Sequence, residues 1–244
     1  MSFIGRGMSA AVRELGKVIF PRAPRPSRGE RFLHVTGAIR RGKARSPMKQ
    51  LLLSLLTTCA VGLLAAPAAR AQDAKEVAVL KTSAGEMVVE FWPEVAPKTV
   101  ENFKKLAKDG FYNGTAFHRI IKGFMIQGGD PLTKDASQEA RWGTGDPGYK
   151  IKAEFNERKH ERGVLSMARS ANPDSAGCQF FICLDAAAVL DGKYTTFGKV
   201  IKGEDVLLKL GDSPVAPSAS GEPSKPTQRV GLESVKIVPA DAAK

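Results

Sequence analysis

The chain has 244 residues, 43% hydrophobic and 25% charged, with 37 Lys and Arg against 25 Asp and Glu for a formal charge of +12. That composition excludes collagen-like, disulfide-stapled and multispan membrane chains. The charge is uneven: residues 1–47 carry +9, residues 48–71 carry +2 and residues 72–244 carry only +1, so the excess does not describe a basic nucleic-acid-binding domain.

In chain order, residues 1–47 hold eleven basic side chains, Pro21, Pro24, Pro26 and Pro47, and no sustained apolar period. They read as a disordered basic extension. The simplest account starts translation at Met48; an Arg-rich transit peptide is the competing reading. Met48-Lys49-Gln50 then opens an apolar run, Leu51 to Ala66, that only Ser54, Thr57 and Thr58 interrupt; Pro67 and Ala69-Arg70-Ala71 follow. A basic start, an apolar run short of the roughly 20 residues of a membrane span and a small-x-small ending describe a secretory signal peptide, residues 48–71, cut after Ala71. An exported, periplasmic protein is expected, with secretion or an uncleaved anchor as alternatives. Residues 72–244 are then one domain, long enough to bury roughly two-thirds of its unfolded surface without disulfides.

Within that domain, Val77–Thr82 and Glu86–Trp92 flank Ser83-Ala84-Gly85 as a β-hairpin. Pro97 opens a segment whose Val100, Phe103, Leu106 and Ala107 recur at helical spacing, and Gly110 stops it: a helix over 97–109. Further strands are expected at Ala116–Ile121, Phe124–Gly128, Val164–Ala168, Gln179–Leu184, Thr196–Ile201 and Val230–Val238, with a second helix over Gly203–Leu210. Asp212–Gln228, with four prolines and four serines, reads as a surface excursion. Eight short strands and two helices give a mainly β fold, a closed eight-stranded antiparallel barrel capped by the helices. Cys178 and Cys183 are five apart in one strand-like run, an odd separation that puts them on opposite faces as free thiols.

The chemistry concentrates in Phe117-His118-Arg119-Ile120-Ile121-Lys122-Gly123-Phe124-Met125-Ile126-Gln127-Gly128-Gly129-Asp130, then Gly163–Arg169 and Gly177–Ile182. Strand alternation puts Met125 and Gln127 on one face of their strand, and Gln179 and Phe181 on one face of theirs. If the two faces meet, they make an apolar pocket rimmed by Arg119 and two side-chain amides. Phe180, Ile126 and Ile182 then fall on the opposite, core-facing side.

On these runs the chain resembles the cyclophilin family of peptidyl-prolyl cis-trans isomerases, from about Val77 to Val238. The resemblance implies an eight-stranded barrel with two helices and a catalytic arginine at Arg119. It implies a proline pocket at Phe124, Met125, Phe181 and Leu190, and substrate-backbone contacts at Gln127, Ala168 and Arg169, the last two mainly through main-chain atoms. Gln179 and Phe180 complete the corresponding strand, Tyr194 borders the pocket, and Gly143-Thr144-Gly145 resembles a neighbouring subsite wall. The partners implied are proline-containing polypeptide clients, bound by a monomer without nucleic acid or lasting membrane attachment. No cofactor and no metal are needed, because no bond is broken: the task is rotation about an X-Pro amide against a barrier of about 18–20 kcal/mol. A proline-recognising holdase or adaptor with incidental turnover is the competing reading; a pure binder has no evident need for Arg119.

The chain also departs from the family. Val189 stands where many eukaryotic members carry a tryptophan, Tyr194 where they carry a histidine and Arg169 where they carry an asparagine. Val189 has no indole N–H to offer cyclosporin, so weak binding of that inhibitor is expected, and Arg169 adds a positive charge at the groove. On strand alternation His118 points away from Arg119 and reads as structural. Gly128-Gly129-Asp130-Pro131 reads as a tight turn with no helix after it, not a phosphate cradle.

Overall fold

The computed structural model describes residues 75–243; the basic extension and signal peptide expected over 1–71 lie outside the described residues. All eight expected strands form within a few residues of their expected limits. They are β1 (Glu76–Thr82), β2 (Gly85–Phe91), β5 (Met125–Gly128), β6 (Val164–Met167), β7 (Phe180–Cys183), β8 (Thr196–Lys202) and β11 (Gly231–Pro239), with the run expected at Ala116–Ile121 divided into β3 (Thr115–Ala116) and β4 (Arg119–Ile121). Every pairing is antiparallel, and one nine-stranded sheet runs β3-β11-β1-β2-β8-β6-β7-β5-β4.

This corrects the closed eight-stranded barrel expected from the sequence: the sheet is curled and open, with β3 and β4 as its edges. The physical reason lies at Phe117-His118, where the run changes partner. Phe117 N–H donates to Val230 C=O (2.9 Å), continuing the pairing with β11, whereas His118 N–H donates to Gln127 C=O (3.0 Å) on β5. One short stretch of chain therefore supplies both edges. Register shifts at Lys81/Thr82, Val88/Val89 and Leu165/Ser166 bend the sheet by locally raising its twist.

Both expected helices form, α1 (Pro97–Lys108) and α2 (Glu204–Gly211). The carboxylate of Glu154 accepts from the Lys98 and Thr99 N–H groups (3.0 and 2.8 Å) and from Thr99 Oγ1 (2.7 Å), so a negative charge answers the orphan donors at the start of α1. At its other end Gly110 takes φ +69 and its N–H returns to Ala107 C=O (3.0 Å), ending the helix where the sequence places the stop. Phe103 of α1 fits among Phe91, Tyr112, Phe180 and Phe197, with ring centroids 4.9–5.7 Å away. Leu207 and Leu210 of α2 join the same inner core. No helix among the described residues is long and apolar enough to cross a membrane.

The Pro- and Ser-rich stretch is more ordered than a plain surface excursion: β9 (Val215–Pro217) and β10 (Pro223–Pro226) form a separate two-stranded hairpin, and β10 packs beside β4.

Candidate functional site

β4, β5, β7 and β6 lie side by side in a register that sets Arg119 opposite Gln127, Gln127 opposite Phe181, and Phe181 opposite Ser166. Residues opposed across neighbouring strands share a face, so these four form a row across the sheet. The next row sets Ile121 opposite Met125 and Met125 opposite Cys183. Ile121, Met125, Phe181, Cys183, Ala187 and Leu190 make a small apolar cluster of their own, with Phe124, Ala168 and Tyr194 packed against it. The structure thus brings together Phe124, Met125, Phe181, Leu190, Tyr194 and Ala168, and sets Arg119 and Gln127 beside them in the register. Ile126, Phe180 and Ile182 belong to the inner core, as alternation requires.

The Arg119 guanidinium is held on one edge. Its Nε donates to one carboxylate oxygen of Glu222 (3.0 Å) and its Nη2 to the other (3.2 Å), with side chains only 20% and 13% exposed. Glu222 lies at the start of the turn-to-β10 segment, 103 residues further along the chain. Sequence reasoning missed it, since no periodicity or motif connects the two positions.

Gln127 and Gln179 form a chain of amides. Gln127 Nε2 donates to Gln179 Oε1 (3.1 Å), and Gln179 Nε2 donates to the Gly143 and Gly145 carbonyls (3.0 and 2.9 Å). Gln179 is thereby committed to the 143–145 loop, and Gln127 is oriented with its own carbonyl oxygen uncommitted among the described residues. Asp130, fully buried, braces the same loop: its carboxylate accepts from the Gly143 and Gly145 N–H groups and from Leu132 N–H (2.7 Å). A Cβ at position 145 would collide with that carboxylate, which is why glycine stands there. A 3-10 turn, Pro131–Lys134, does follow Asp130, contrary to the sequence reading, but the Asp130 side chain occupies its N-terminus.

Between Gly143–Asp146 and Ala168–Ser170 lies an open depression that reaches Gln127 and Gln179, where the sequence placed a neighbouring subsite wall. Ala168 N–H donates to Gln179 C=O (2.9 Å), so any main-chain grip by Ala168 falls to its carbonyl. Arg169 is more constrained than a free charge at the groove. Its Nε and Nη2 donate to Lys193 C=O (3.1 and 2.8 Å), its Nη1 to Ser170 C=O (2.9 Å), and its guanidinium lies 4.4 Å from the Tyr194 ring centroid. Val189 is exposed.

Phe181 is supported on two sides, by the edge of Tyr194 (centroids 5.9 Å apart) and by His160 stacked at 6.0 Å with a 13° interplanar angle. His160 Nδ1 lies 3.0 Å from Asp191 Oδ1 and Nε2 lies 3.1 Å from Ser166 Oγ. This Asp-His-Ser chain resembles a hydrolytic triad in connectivity only. Ser166 is fully buried and donates to Thr195 C=O (3.0 Å), so it braces the strand instead of attacking a substrate. Burial pulls the His160 pKa down against the opposing hydrogen bond and charge of Asp191. His118 immediately precedes β4, and its ring lies by Gly143. Burial lowers its pKa to about 4, opposed by Asp130 and assisted by Arg119, so the ring is neutral. Cys178 sits in the inner core and Cys183 in the outer cluster, both free; burial pushes both thiols up to about 12, which leaves no thiolate nucleophile at neutral pH.

A family model described as "Cyclophilin type peptidyl-prolyl cis-trans isomerase/CLD" matches residues 77–237. A protein of Brucella abortus (strain 2308) named "Probable peptidyl-prolyl cis-trans isomerase" is 43% identical over 155 residues, 62% of this chain and 79% of that protein. A peptidyl-prolyl cis-trans isomerase of Synechococcus elongatus is 46% identical over 129 residues, 53% of this chain and 83% of its own. Among solved structures, a cyclophilin-type isomerase of Cryptosporidium parvum, determined in the presence of the dipeptide Ala-Pro, superposes with a TM-score of 0.58 at 33% identity, covering 66% of this chain and 98% of that one.

Proposed function

The chain belongs to the cyclophilin-type family of peptidyl-prolyl cis-trans isomerases, and from that premise we propose which residues do the work and on which clients. The activity is rotation of X-Pro peptide bonds; uncatalysed, that takes roughly 10–100 s. The observation that carries the residue assignment is the row Arg119-Gln127-Phe181 running alongside the outer apolar cluster.

The prolyl ring enters the cluster of Phe124, Met125, Phe181 and Leu190, which fixes one end of the bond. The carbonyl oxygen of Gln127 and the main chain of Ala168 and Arg169 hold the polypeptide on one side while the other side turns. Arg119 donates to the prolyl nitrogen as it becomes pyramidal and regains its lone pair. A guanidinium suits this because it stays charged and keeps donors to spare. Its benefit is confined to the twisted amide, where the nitrogen becomes an acceptor, so it lowers the barrier without tightening the ground state. Support for proline recognition comes from the Cryptosporidium relative, whose structure was determined with Ala-Pro present.

The clients we propose are exported polypeptides folding in the periplasm, on the strength of the signal-peptide pattern over residues 48–71. N-terminal sequencing of the exported protein is expected to begin at Gln72. The assignment to Arg119 is tested by a protease-coupled isomerisation assay on a short X-Pro peptide. Arg119→Ala is expected to lower kcat/KM by about 10²-fold or more, the scale of losing one preorganised donor. A loss below about threefold, in a variant with native circular dichroism, overturns the role.

A further inference from the structure

We infer that Glu222 is a positioning residue for the isomerisation, holding Arg119 in its working orientation from the turn that leads into β10; the inference rests on the role assigned to Arg119 above. Arginine is long and flexible, and a donor that must meet a nitrogen only at the twisted geometry loses its advantage if it must first be ordered. Glu222 removes that requirement. Its two carboxylate oxygens take the Nε and Nη2 edge of the guanidinium as a fork (3.0 and 3.2 Å), an arrangement that fixes the plane as well as the place of the group. Nη1 has no hydrogen-bond partner among the described residues, so the outer edge is left to address the substrate.

Several local contacts fix the backbone that carries Glu222. Ser218 N–H donates to Glu222 C=O (2.7 Å) and Gly221 N–H to Ser218 C=O (2.9 Å), a tight turn in which Gly221 takes φ +82. Pro223 follows Glu222 directly and pairs with Pro217 across the hairpin, restricting the backbone on both strands. Lys225 Nζ forms an ion pair with Glu139 (2.9 Å), tying β10 to the segment before the 143–145 loop. Both members of the Arg119–Glu222 pair are largely shielded from water, where a fork is screened less than at an exposed surface. The carboxylate lowers the net charge near the reacting nitrogen; orientation outweighs this, because the donor's worth depends on its aim.

The test is a cycle of purified proteins in the protease-coupled assay: unmodified protein, Glu222→Gln, Arg119→Ala and the double variant. Glu222→Gln is expected to lower kcat/KM about tenfold, a fraction of the loss that removing the donor causes. The change should fall in kcat, with KM within about twofold and native circular dichroism, whatever the loss of a shielded charge does to the thermal midpoint. In the Arg119→Ala background the same substitution should cost nothing more. Glu222→Gln within twofold of the unmodified protein, beside a large loss in Arg119→Ala, overturns this inference and leaves the role of Arg119 standing. A further loss in the double variant also overturns it, since Glu222 would then support the hairpin and not the guanidinium. Arg119→Ala without effect instead sinks the underlying assignment. One measurement needs no substitution: the Arg119 Nε–H in the unmodified protein should exchange slowly with water by NMR, and rapid, averaged exchange contradicts the clamp.

Discussion

β5 and β7 carry two apolar faces that differ in what covers them. Ile126, Phe180 and Ile182 face a core closed by α1 and α2, in which Phe103 meets four aromatic rings. Met125, Phe181 and Cys183, alternate residues of the same strands, face a smaller cluster flanked by the 187–194 segment and by His160 stacked on Phe181. The first face meets one buried hydroxyl, Tyr112, already spent on the Cys178 carbonyl (3.2 Å), while the second is bordered by Arg119, Gln127 and Gln179, each held by a named partner. Alternation thus lets two strands of four residues each carry a face that closes the core and a face that borders the polar row.

The division can be broken most severely at Phe103. Phe103→Ala should cost about 3–5 kcal/mol of stability, the range for a large buried aromatic, read as a fall in the urea midpoint. A cost under 1 kcal/mol would mean that the inner face is not the stabilising one. Acid comes next. Below pH 6.5 the unfolded chain takes up protons on His118 and His160 that the folded protein resists, so the unfolded state binds more protons and stability falls as pH falls. With His118 held at about 4, the loss is on the order of 3 kcal/mol between pH 6.5 and 4. Urea midpoints that stay level from pH 7 to pH 5 would contradict the burial of both rings.

The sharpest contrast uses neighbours in one strand. Ile182→Val should cost about 0.5–1.5 kcal/mol and leave kcat/KM within about twofold, the scale on which a remote core change is felt. Phe181→Leu, which keeps the site apolar but removes the ring, should cost about 1–2 kcal/mol yet lower kcat/KM by about tenfold, since the cluster loses a ring stacked on His160. Equal effects on activity would erase the distinction between the faces. The smallest expected effect is on the thiols: with both pushed up to about 12, Cys178 and Cys183 should stay unmodified in native protein treated with iodoacetamide at pH 8, and a mass shift on either peptide argues against their burial.

Most of the fold was legible because strand and helix periods are local. The hairpin of β1 and β2, the stop at Gly110 and the split between Met125 and Ile126 each follow from a few adjacent residues. That Met125 and Phe181 share an outer apolar cluster was legible for the same reason. What could not be read depends on chain segments that meet only in the folded state. Glu222 sits in a stretch whose prolines and serines signal nothing but irregularity, and its value appears only when β10 packs against β4. Asp130 looked like part of a turn, and its second task, bracing Gly143 and Gly145, needs the loop to return over it. The break at Phe117-His118 escaped for a different reason: an unbroken run of strand-forming residues does not reveal that it changes partner halfway.

The edges of the sheet carry one more consequence. β3 and β4, the edge strands, are two and three residues long, and β10 lies against β4. Long uncovered edges invite unfolded chains to add themselves as an extra strand. With edge strands of two and three residues in its nine-stranded sheet, the described domain offers an extended chain little edge to copy. If the proposed clients are the right ones, that shortness would let an extended segment be held by its proline and released without templating its aggregation.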